Sequence, residues 1–271
     1  MIRTNWHTHT SRCGHAVGTD EEYVETAIEA GLKTLGFSDH APYRKPFPRQ
    51  RMDFETYPEY KESVLALKEK YKDRIDIHLG MEVEFYESQW EDLKTYRKEM
   101  EYCILGQHSV YFEETSVYGI KDPRDLDLYT DMIEEGCRRG LCDYIAHPDV
   151  VMWAYPRIDD TVRTAAKRIA EIANRYRLPV ELNCGSGVKY PKKQYEDGER
   201  WAYPTRVFFE EFARQKCPVI IGLDIHDPTL FLMDFFLDRA LSVIEGLDCI
   251  ILEDYDLVAA AAKRKKEFGF I

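Results

Sequence analysis

The sequence predicts one α/β domain whose strands run parallel in a single sheet. Short apolar runs alternate with longer amphipathic stretches along all 271 residues, and strands that alternate with helices normally lie parallel. A chain of this length can bury one large core, and its sequence has no Gly/Ser/Pro-rich linker, short-period repeat or low-complexity tract. We therefore expect residues 1–271 to fold as one domain, either a barrel or an open doubly wound sheet.

Seven apolar runs predict the strands. They are IRTNW (2–6), KTLGF (33–37), IDIHLGMEV (75–83), YCILG (102–106), CDYIA (142–146), LPVELN (178–183) and CPVIIGL (217–223). Amphipathic stretches predict helices near 20–31, 57–72, 88–99, 125–140, 160–176, 204–216 and 231–245. In the first helix, Thr19 and Asp20 are expected to form the cap and the acidic first turn. The proline-rich segment 41–60 predicts a long loop that could cover a site.

Composition excludes several classes of function. A net charge of −12 repels a polyanion, so a small substrate is expected rather than nucleic acid. No apolar run is long enough to cross a bilayer, and the first residues lack the features of a secretory signal, so we expect a cytoplasmic protein without a membrane partner. Seven cysteines without CxxC spacing predict buried free thiols in a reducing compartment. The terminal run AKRKKEF predicts a solvated helix end, and the oligomeric state stays open.

Histidines follow the predicted strands. Seven of the eight come at strand ends or in the loop after the first strand: His7, His9, His15, His40, His108, His147 and His226. Taken singly, HTH is a weak signal, and SDH or AHPD could be capping turns. Because the carboxyl ends of parallel strands meet at one end of the fold, we expect these imidazoles to converge. His78, inside IDIHLG, is instead predicted to be a core histidine with its hydrogen bonds satisfied.

The spacing within motifs indicates metal binding. Side chains at i and i+2 of an extended segment point to the same face, so His7 and His9 can hold one ion, and Asp224 and His226 can act together. GMEVE adds a carboxylate, but the residues alone do not distinguish its two glutamates. Imidazole with a few carboxylates suits zinc, iron or manganese better than magnesium or calcium. The candidate ligands are too many for one ion and enough for two or three. Three ions with two carboxylates would leave the site about +4, which favours hydroxide and a phosphate dianion.

Seven motifs resemble, in order, the signature of the polymerase-and-histidinol-phosphatase (PHP) superfamily: HTH, GH, SDH, GMEVE, GQHS, AHPD and GLDIH. The resemblance covers essentially the whole chain and implies a distorted (β/α)7 barrel with three divalent transition-metal ions (Zn, Mn or Fe) at the carboxyl ends of the strands. It implies these ligand sets: His7, His9, Glu82 and Asp224 for one ion; Glu82, His108 and His147 for a second; His15, His40 and His226 for a third. Glu82 matches the bridging position of the family, and Glu84 does not.

Within the superfamily, the chain length, the long segment 39–85 and the ELNCGSG turn are similar to the histidinol-phosphate phosphatases. This similarity implies hydrolysis of L-histidinol phosphate to L-histidinol and phosphate, a step of histidine biosynthesis, by a hydroxide that bridges two ions. One alternative is a PHP-type phosphodiesterase, exonuclease or nucleotide phosphatase. Another is a metal-binding protein without turnover.

The remaining site residues are expected from the chemistry of this substrate. An alkoxide leaving group needs an acid, for which Asp224 and His226 are the candidates. Arginine can fork two donors onto phosphate, and Arg157 lies ten residues after His147. Further candidates for phosphate are the cations of the long loop: Arg44, Lys45 and Arg49. The ammonium and imidazole of histidinol call for an acidic or aromatic wall, with these candidates: Tyr155, Asn183 and Glu84.

Overall fold

One parallel sheet organises the protein. Within residues 2–44, 51–112 and 116–271, which the computed structural model describes, eight parallel strands form this sheet and two short strands form a separate hairpin. The sheet contains, in spatial order, β1 (Thr4–Asn5), β2 (Thr34–Phe37), β3 (Asp76–Val83), β4 (Tyr102–Leu105), β5 (Tyr144–Ile145), β6 (Val180–Asn183), β9 (Pro218–Gly222) and β10 (Ile250–Ile251). The hairpin consists of β7 (Lys193–Tyr195) and β8 (Gly198–Arg200).

Helices follow the strands of the sheet along the chain. They are α1 (Asp20–Glu29), α2 (Tyr57–Tyr71), α3 (Trp90–Glu99), α4 (Pro123–Arg138), α5 (Asp160–Tyr176), α6 (Ser186–Lys189), α7 (Arg206–Arg214), α8 (Phe235–Ile244) and α9 (Leu257–Glu267). The start of α1 is confirmed as predicted, because Thr19 and Glu22 form a capping box and Asp20 opens the first turn. No helix of the described segments is long and apolar enough to span a bilayer.

The sheet curls so that the segments just past β1 and β9 meet at the carboxyl ends of the strands. Thr8, just past β1, pairs in parallel with Ile225, just past β9. The amide of His9 donates to the Ile225 carbonyl at 2.9 Å, and the amide of Ile225 donates to the His7 carbonyl at 3.3 Å. Strands β1–β6 and β9 therefore form a ring of seven, while β10 extends the sheet beside β9. The predicted distorted seven-stranded α/β barrel is confirmed.

Aromatic side chains fill the interior of the ring. Trp6, Tyr102 and Tyr144 are buried in one cluster with Leu257 and Ala261 of α9. The Tyr102 hydroxyl donates to the Trp6 carbonyl at 2.8 Å and to that of Phe37 at 3.0 Å. The polar group of this buried side chain is therefore satisfied by backbone acceptors. The polar strand ends rest on this packed interior.

Three strands were not predicted, and one surface prediction is wrong in part. The hairpin KQYEDGER is polar and lacks the apolar run that marks a buried strand, and β10 has two residues. In the terminal basic run, Arg264 and Lys265 are buried rather than solvated. Arg264 donates to the Tyr176 carbonyl and Lys265 to that of Met100, so both buried cations are hydrogen-bonded to backbone carbonyl groups. All seven cysteines are free, as predicted.

Candidate metal centre

Glu82 stands at the centre of the converging histidines. It lies at the end of β3, and its side chain is 1% exposed. One carboxylate oxygen, Oε1, lies 2.8 Å from Nε2 of His147, and the other, Oε2, lies 2.8 Å from Nδ1 of His40. Three more ring nitrogens lie slightly farther from its oxygens, Nε2 of His7 at 3.7 Å, Nε2 of His9 at 3.5 Å and Nε2 of His108 at 3.8 Å.

Asp224 approaches the same histidines from β9, on the other side of the ring closure. Its Oδ1 lies 3.2 Å from Nε2 of His9, 3.6 Å from Nε2 of His7 and 3.4 Å from Nδ1 of His226. Donor atoms of His7, His9 and Asp224 all lie within 4.8 Å of one another. The i, i+2 spacing of the HTH motif thus delivers both imidazoles to one carboxylate, as β geometry requires.

His15 extends the cluster at its outer edge. Donor atoms of His15, His40 and His226 also lie within 4.8 Å of one another, although these residues come from the first loop, β2 and β9. The rings of His15 and His226 stack with centroids 4.7 Å apart, and Nδ1 of His15 hydrogen-bonds the Cys13 carbonyl at 3.1 Å. The structure therefore brings all nine predicted ligand residues together.

Unpartnered donor atoms provide a test of whether this cluster fits metal ions. Buried polar atoms are normally hydrogen-bonded, yet several in the cluster have no hydrogen-bond partner: His7 Nε2, both ring nitrogens of His9, Glu82 Oε2 and His226 Nε2. Each is an atom that can donate a lone pair to a cation. Imidazole with a few carboxylates is the donor set of zinc, iron and manganese sites, so the residues present fit divalent transition metals.

Opposing charges perturb the pKa values in this cluster. Burial lowers the pKa of His9, but its close contacts with the carboxylates of Asp224 and Asp39 and the charge of Glu82 outweigh burial and raise it to about 9. Burial acts in the opposite direction on Glu82, yet the neighbouring imidazoles hold the pKa of that carboxyl well below its usual range. Burial and the charge of His9 lower the pKa of His226 to about 3. Metal binding requires neutral imidazole and is therefore coupled to proton release.

Unusual backbone geometry supports two of the residues in the cluster. His147 has φ of 25° and Asp224 has φ of 50°, a region that side-chain-bearing residues seldom occupy and that is often found at functional sites.

Gly106 lets Glu82 approach the end of β4. A Cβ on Gly106 would lie 1.8 Å from Glu82 Oε1 and 2.9 Å from His147 Cε1. The motif GQH therefore needs its glycine for space.

Three of the residues predicted to contact the substrate do not join the cluster in this structure. The Arg157 guanidinium is exposed and donates to Glu196 at 2.7 Å, and Arg44 is exposed and pairs with Asp92 at 2.9 Å. Tyr155 is buried, with its hydroxyl 3.4 Å from Asp159. Their roles toward substrate stay predictions. The alternatives Lys45 and Arg49 lie outside the described residues.

Two residues predicted for the wall lie beneath the histidines instead. Glu84 is fully buried, accepts from Arg51 at 2.6 Å and lies 3.3 Å from Nδ1 of His108. Asn183 is fully buried and donates to Glu181 at 2.9 Å and to Asp224 at 3.2 Å. Both polar side chains therefore contact residues in or beside the cluster, and their roles toward substrate stay predictions.

An aromatic wall that the sequence did not predict borders the cluster. The ring of Tyr118 stacks on His108 with centroids 6.3 Å apart, and Tyr203 contacts His147 at 6.2 Å. Trp153 joins the two tyrosines at centroid distances of 5.4 and 6.2 Å. These aromatic residues follow no strand and share no spacing in the sequence, so no local pattern marks them.

A thiol also lies at the cluster. The Sγ atom of Cys13 lies within 4.8 Å of donor atoms of His9 and His226. Burial and the negative charge of Asp39 raise its pKa to about 12, so the thiol stays protonated at neutral pH. Cys13 lies four residues after the HTH motif. This proximity is the one feature of the sequence that could have placed the cysteine at the cluster.

Comparison with known proteins agrees with the motifs. A family model described as the PHP domain matches residues 5–185. The chain belongs to the PHP family. The matched range includes Glu82 and every histidine of the cluster except His226, while Asp224 and His226 lie beyond it. The geometry of the ring closure, rather than the family match, joins these last two residues to the others.

Curated relatives and a solved structure share most of this PHP chain. A "probable histidinol-phosphatase" of Deinococcus radiodurans is 29% identical over 235 residues, covering 82% of this chain and 85% of the relative. A protein of the same description from Schizosaccharomyces pombe is 22% identical over 245 residues, covering 82% and 80%. The crystal structure of histidinol phosphate phosphatase from Lactococcus lactis, complexed with zinc, L-histidinol and phosphate, has a TM-score of 0.69 at 17% identity, covering 93% and 95%. Its similarity shows the same fold.

Proposed function

We propose that this PHP protein is a metal-dependent phosphomonoesterase that hydrolyses L-histidinol phosphate to L-histidinol and phosphate. One observation carries the proposal: the two oxygens of Glu82 lie within 3.8 Å of ring nitrogens of five histidines, delivered by four strands. Such a cluster at the carboxyl end of a barrel is suited to phosphate esters. The curated relatives described as histidinol-phosphatases, and a similar structure holding L-histidinol and phosphate, support the choice of substrate.

We propose three divalent ions in this cluster. The ligand sets are His7, His9, Glu82 and Asp224; Glu82, His108 and His147; and His15, His40 and His226. When bound, ions in such a cluster offset the charge of the phosphoryl oxygens and lower the pKa of water. The zinc in the Lactococcus lactis structure supports zinc as one of the metals.

Residues at the rim are the candidates for proton delivery to the leaving alcohol. The side chain of His226 is 17% exposed, whereas those of His7 and Glu82 are 0% and 1% exposed, and Asp224 Oδ1 lies 3.4 Å from Nδ1 of His226. A leaving alkoxide can be reached only by a group that is open to the substrate. We therefore propose that His226, or Asp224 in contact with it, passes the proton.

The aromatic wall supplies a surface for the histidinol moiety. Trp153 is half-buried, and the Lys193 ammonium lies 3.3 Å from the centre of its ring, which indicates that this ring face already attracts a cation. An imidazole can stack on this face once the Lys193 side chain moves aside, and a substrate ammonium can be held by the neighbouring ring of Tyr118. Both rings lie on the His108 and His147 side of the cluster.

Competing substrates test this function directly. The protein, stripped of metal and then reloaded with zinc or manganese, is given L-histidinol phosphate, 5′-nucleotides and a short single-stranded oligonucleotide in separate assays. We expect the highest kcat/KM for L-histidinol phosphate, because a chain with a net charge of −12 offers a polyanion little attraction. A higher kcat/KM for the nucleotides or the oligonucleotide would replace this proposal with a nucleotide phosphatase or a nuclease.

A further inference from the structure

Strand β6 is the one strand of the seven-membered ring that carries no proposed ligand. It instead places Glu181 and Asn183 beneath the cluster, both fully buried. Their i, i+2 spacing directs both side chains to the same face of the strand, toward the interior that holds His7 and Asp224. A buried carboxylate needs hydrogen bonds or an opposite charge to be tolerated.

Glu181 is held by four donors, which come from two other strands, β1 and β5, and from β6 itself. Its Oε1 lies 2.8 Å from Nδ1 of His7 and accepts from the Tyr144 hydroxyl at 3.3 Å. Its Oε2 accepts from the His147 amide at 2.8 Å and from the Asn183 side chain at 2.9 Å. Both oxygens are thus used, and Glu181 is oriented to bind ligand residues rather than an ion.

Asn183 extends the same network to the last strand of the ring. Its Nδ2 also donates to Asp224 Oδ2 at 3.2 Å, while its Oδ1 accepts from the Gly185 amide at 2.8 Å. Gly222 makes room for this arrangement, because a Cβ at that position would lie 1.8 Å from Glu181 Oε1. One pair of side chains on β6 therefore touches residues of β1, β5 and β9.

We propose that Glu181, supported by Asn183, is a positioning residue that fixes the orientation and tautomer of His7 and the backbone of His147 for metal binding. A carboxylate that accepts from Nδ1–H leaves the lone pair of Nε2 free, and Nε2 of His7 is the atom directed at Glu82 and Asp224. Such carboxylate–histidine pairs orient ligands and increase their basicity in metal sites. The hydrogen bond to the His147 amide also supports a residue whose φ is positive.

Glu181→Gln tests this role. Its amide group offers one acceptor and one donor where two acceptors are required, so it opposes either His7 Nδ1–H or the His147 amide. We expect the variant to stay folded by circular dichroism and to bind zinc about 10- to 100-fold more weakly at one or more sites, measured by competition with a chromogenic chelator. A folded Glu181→Gln protein with zinc affinities equal to those of the wild type would overturn the proposal.

Glu101→Gln is the matched control. Glu101 also pairs with a histidine ring, lying 3.2 Å from Nδ1 of His78, and also accepts a backbone amide, that of Leu79 at 2.8 Å. Neither partner belongs to the cluster, so the zinc affinities of this variant should match those of the wild type. Equal weakening in both variants would show that general loss of a carboxylate–histidine pair, and not positioning of His7, lowers metal affinity.

A measurement on the wild type keeps the proposal testable if Glu181→Gln fails to fold. Long-range proton–nitrogen correlation spectra of the zinc-loaded protein should show His7 protonated at Nδ1. A His7 protonated at Nε2 would contradict the proposal. The inference rests on the proposed metal centre, and the outcomes differ: a wild type that binds no metal removes the proposed function, whereas a wild type and a Glu181→Gln variant that bind metal equally remove the positioning role alone.

Discussion

Glu82 and His147 meet across the ring, with Oε1 of the glutamate 2.8 Å from Nε2 of the histidine. The contact depends on two local features. His147 adopts a φ of 25° at the end of β5, and Gly106 leaves space between the two side chains. Since Glu82 also contacts His40 at 2.8 Å, this carboxylate joins two sides of the cluster, and the predictions below depend on it.

Replacing Glu82 should remove metal from more than one site. Glu82→Gln keeps the size of the side chain but loses the charge that two proposed ions share. Residues that only orient ligands cost about 10- to 100-fold on mutation, so loss of a bridging ligand should lower kcat/KM at least about 100-fold. Elemental analysis should show fewer ions per chain. His78→Asn, at a histidine outside the cluster, should change neither quantity, and an unchanged metal content in Glu82→Gln would contradict the proposed bridging role.

Gly106→Ala should damage the site without removing any polar group. The added Cβ would lie 1.8 Å from Glu82 Oε1, so the carboxylate has to move, and a displacement of about 1 Å in a catalytic group can cost about 100-fold in rate. Steady-state kinetics and metal content should both report the loss. Gly119→Ala is the control, because nothing lies within 4 Å of a Cβ at that position. Equal activity of the two variants would show that the glycine of GQH is dispensable.

Trp153→Ala tests the aromatic wall. Loss of an aromatic or cation–π contact should raise KM for L-histidinol phosphate about 3- to 10-fold and leave the metal content unchanged. Trp90 offers a matched control, since it is half-buried and lies 4.8 Å from the Arg139 guanidinium, away from the cluster. If Trp90→Ala and Trp153→Ala raise KM equally, the wall has no specific role in substrate binding.

Stability in acid should depend on Glu101. Burial raises the pKa of this carboxyl, but hydrogen bonds from His78, Lys68 and the Leu79 amide outweigh burial and lower it to about 2 from its ordinary value of 4.5. A carboxyl with a lowered folded-state pKa stabilises the protein fully above pH 4.5, and this stabilisation is lost as the pH falls toward 2.

Glu101→Gln therefore should lower the free energy of unfolding most near neutral pH. The difference from the wild type should shrink as the pH falls below 4.5, because the wild-type carboxyl then gains its proton. Urea unfolding of the metal-stripped proteins over this range measures it. A difference that stays constant with pH would show that Glu101 acts through packing rather than through its charge.

The sequence predicted which side chains converge because each of them lies at or just past the end of a strand. HTH, SDH, AHPD and GLDIH each place an imidazole where a short apolar run stops, and parallel strands bring such ends together. Asn183 shows the limit of this reasoning. It lies at the end of a strand as the histidines do, yet its side-chain NH2 group is engaged by hydrogen bonds to Glu181 and Asp224.

Partner choice across the ring could not be predicted from local patterns. His7 and Glu181 are 174 residues apart, and their contact follows from the curvature of the closed sheet. The partner of Arg157 could not be predicted either. Glu196 lies between β7 and β8, two polar strands that contain no apolar run by which a strand is predicted. Arg157 therefore pairs with Glu196 on the surface, although its position ten residues after His147 suggested a place at the cluster.

Metal titration of the stripped protein tests the central claim most directly. Bound metal per chain and phosphate release from L-histidinol phosphate are followed together as zinc or manganese is added. We predict no turnover in the stripped protein, turnover that rises as the ions bind, and loss of both binding and turnover in His147→Ala and Asp224→Ala. Turnover by the stripped wild type, or unchanged metal content in both variants, would contradict the assignment of this cluster as the catalytic centre.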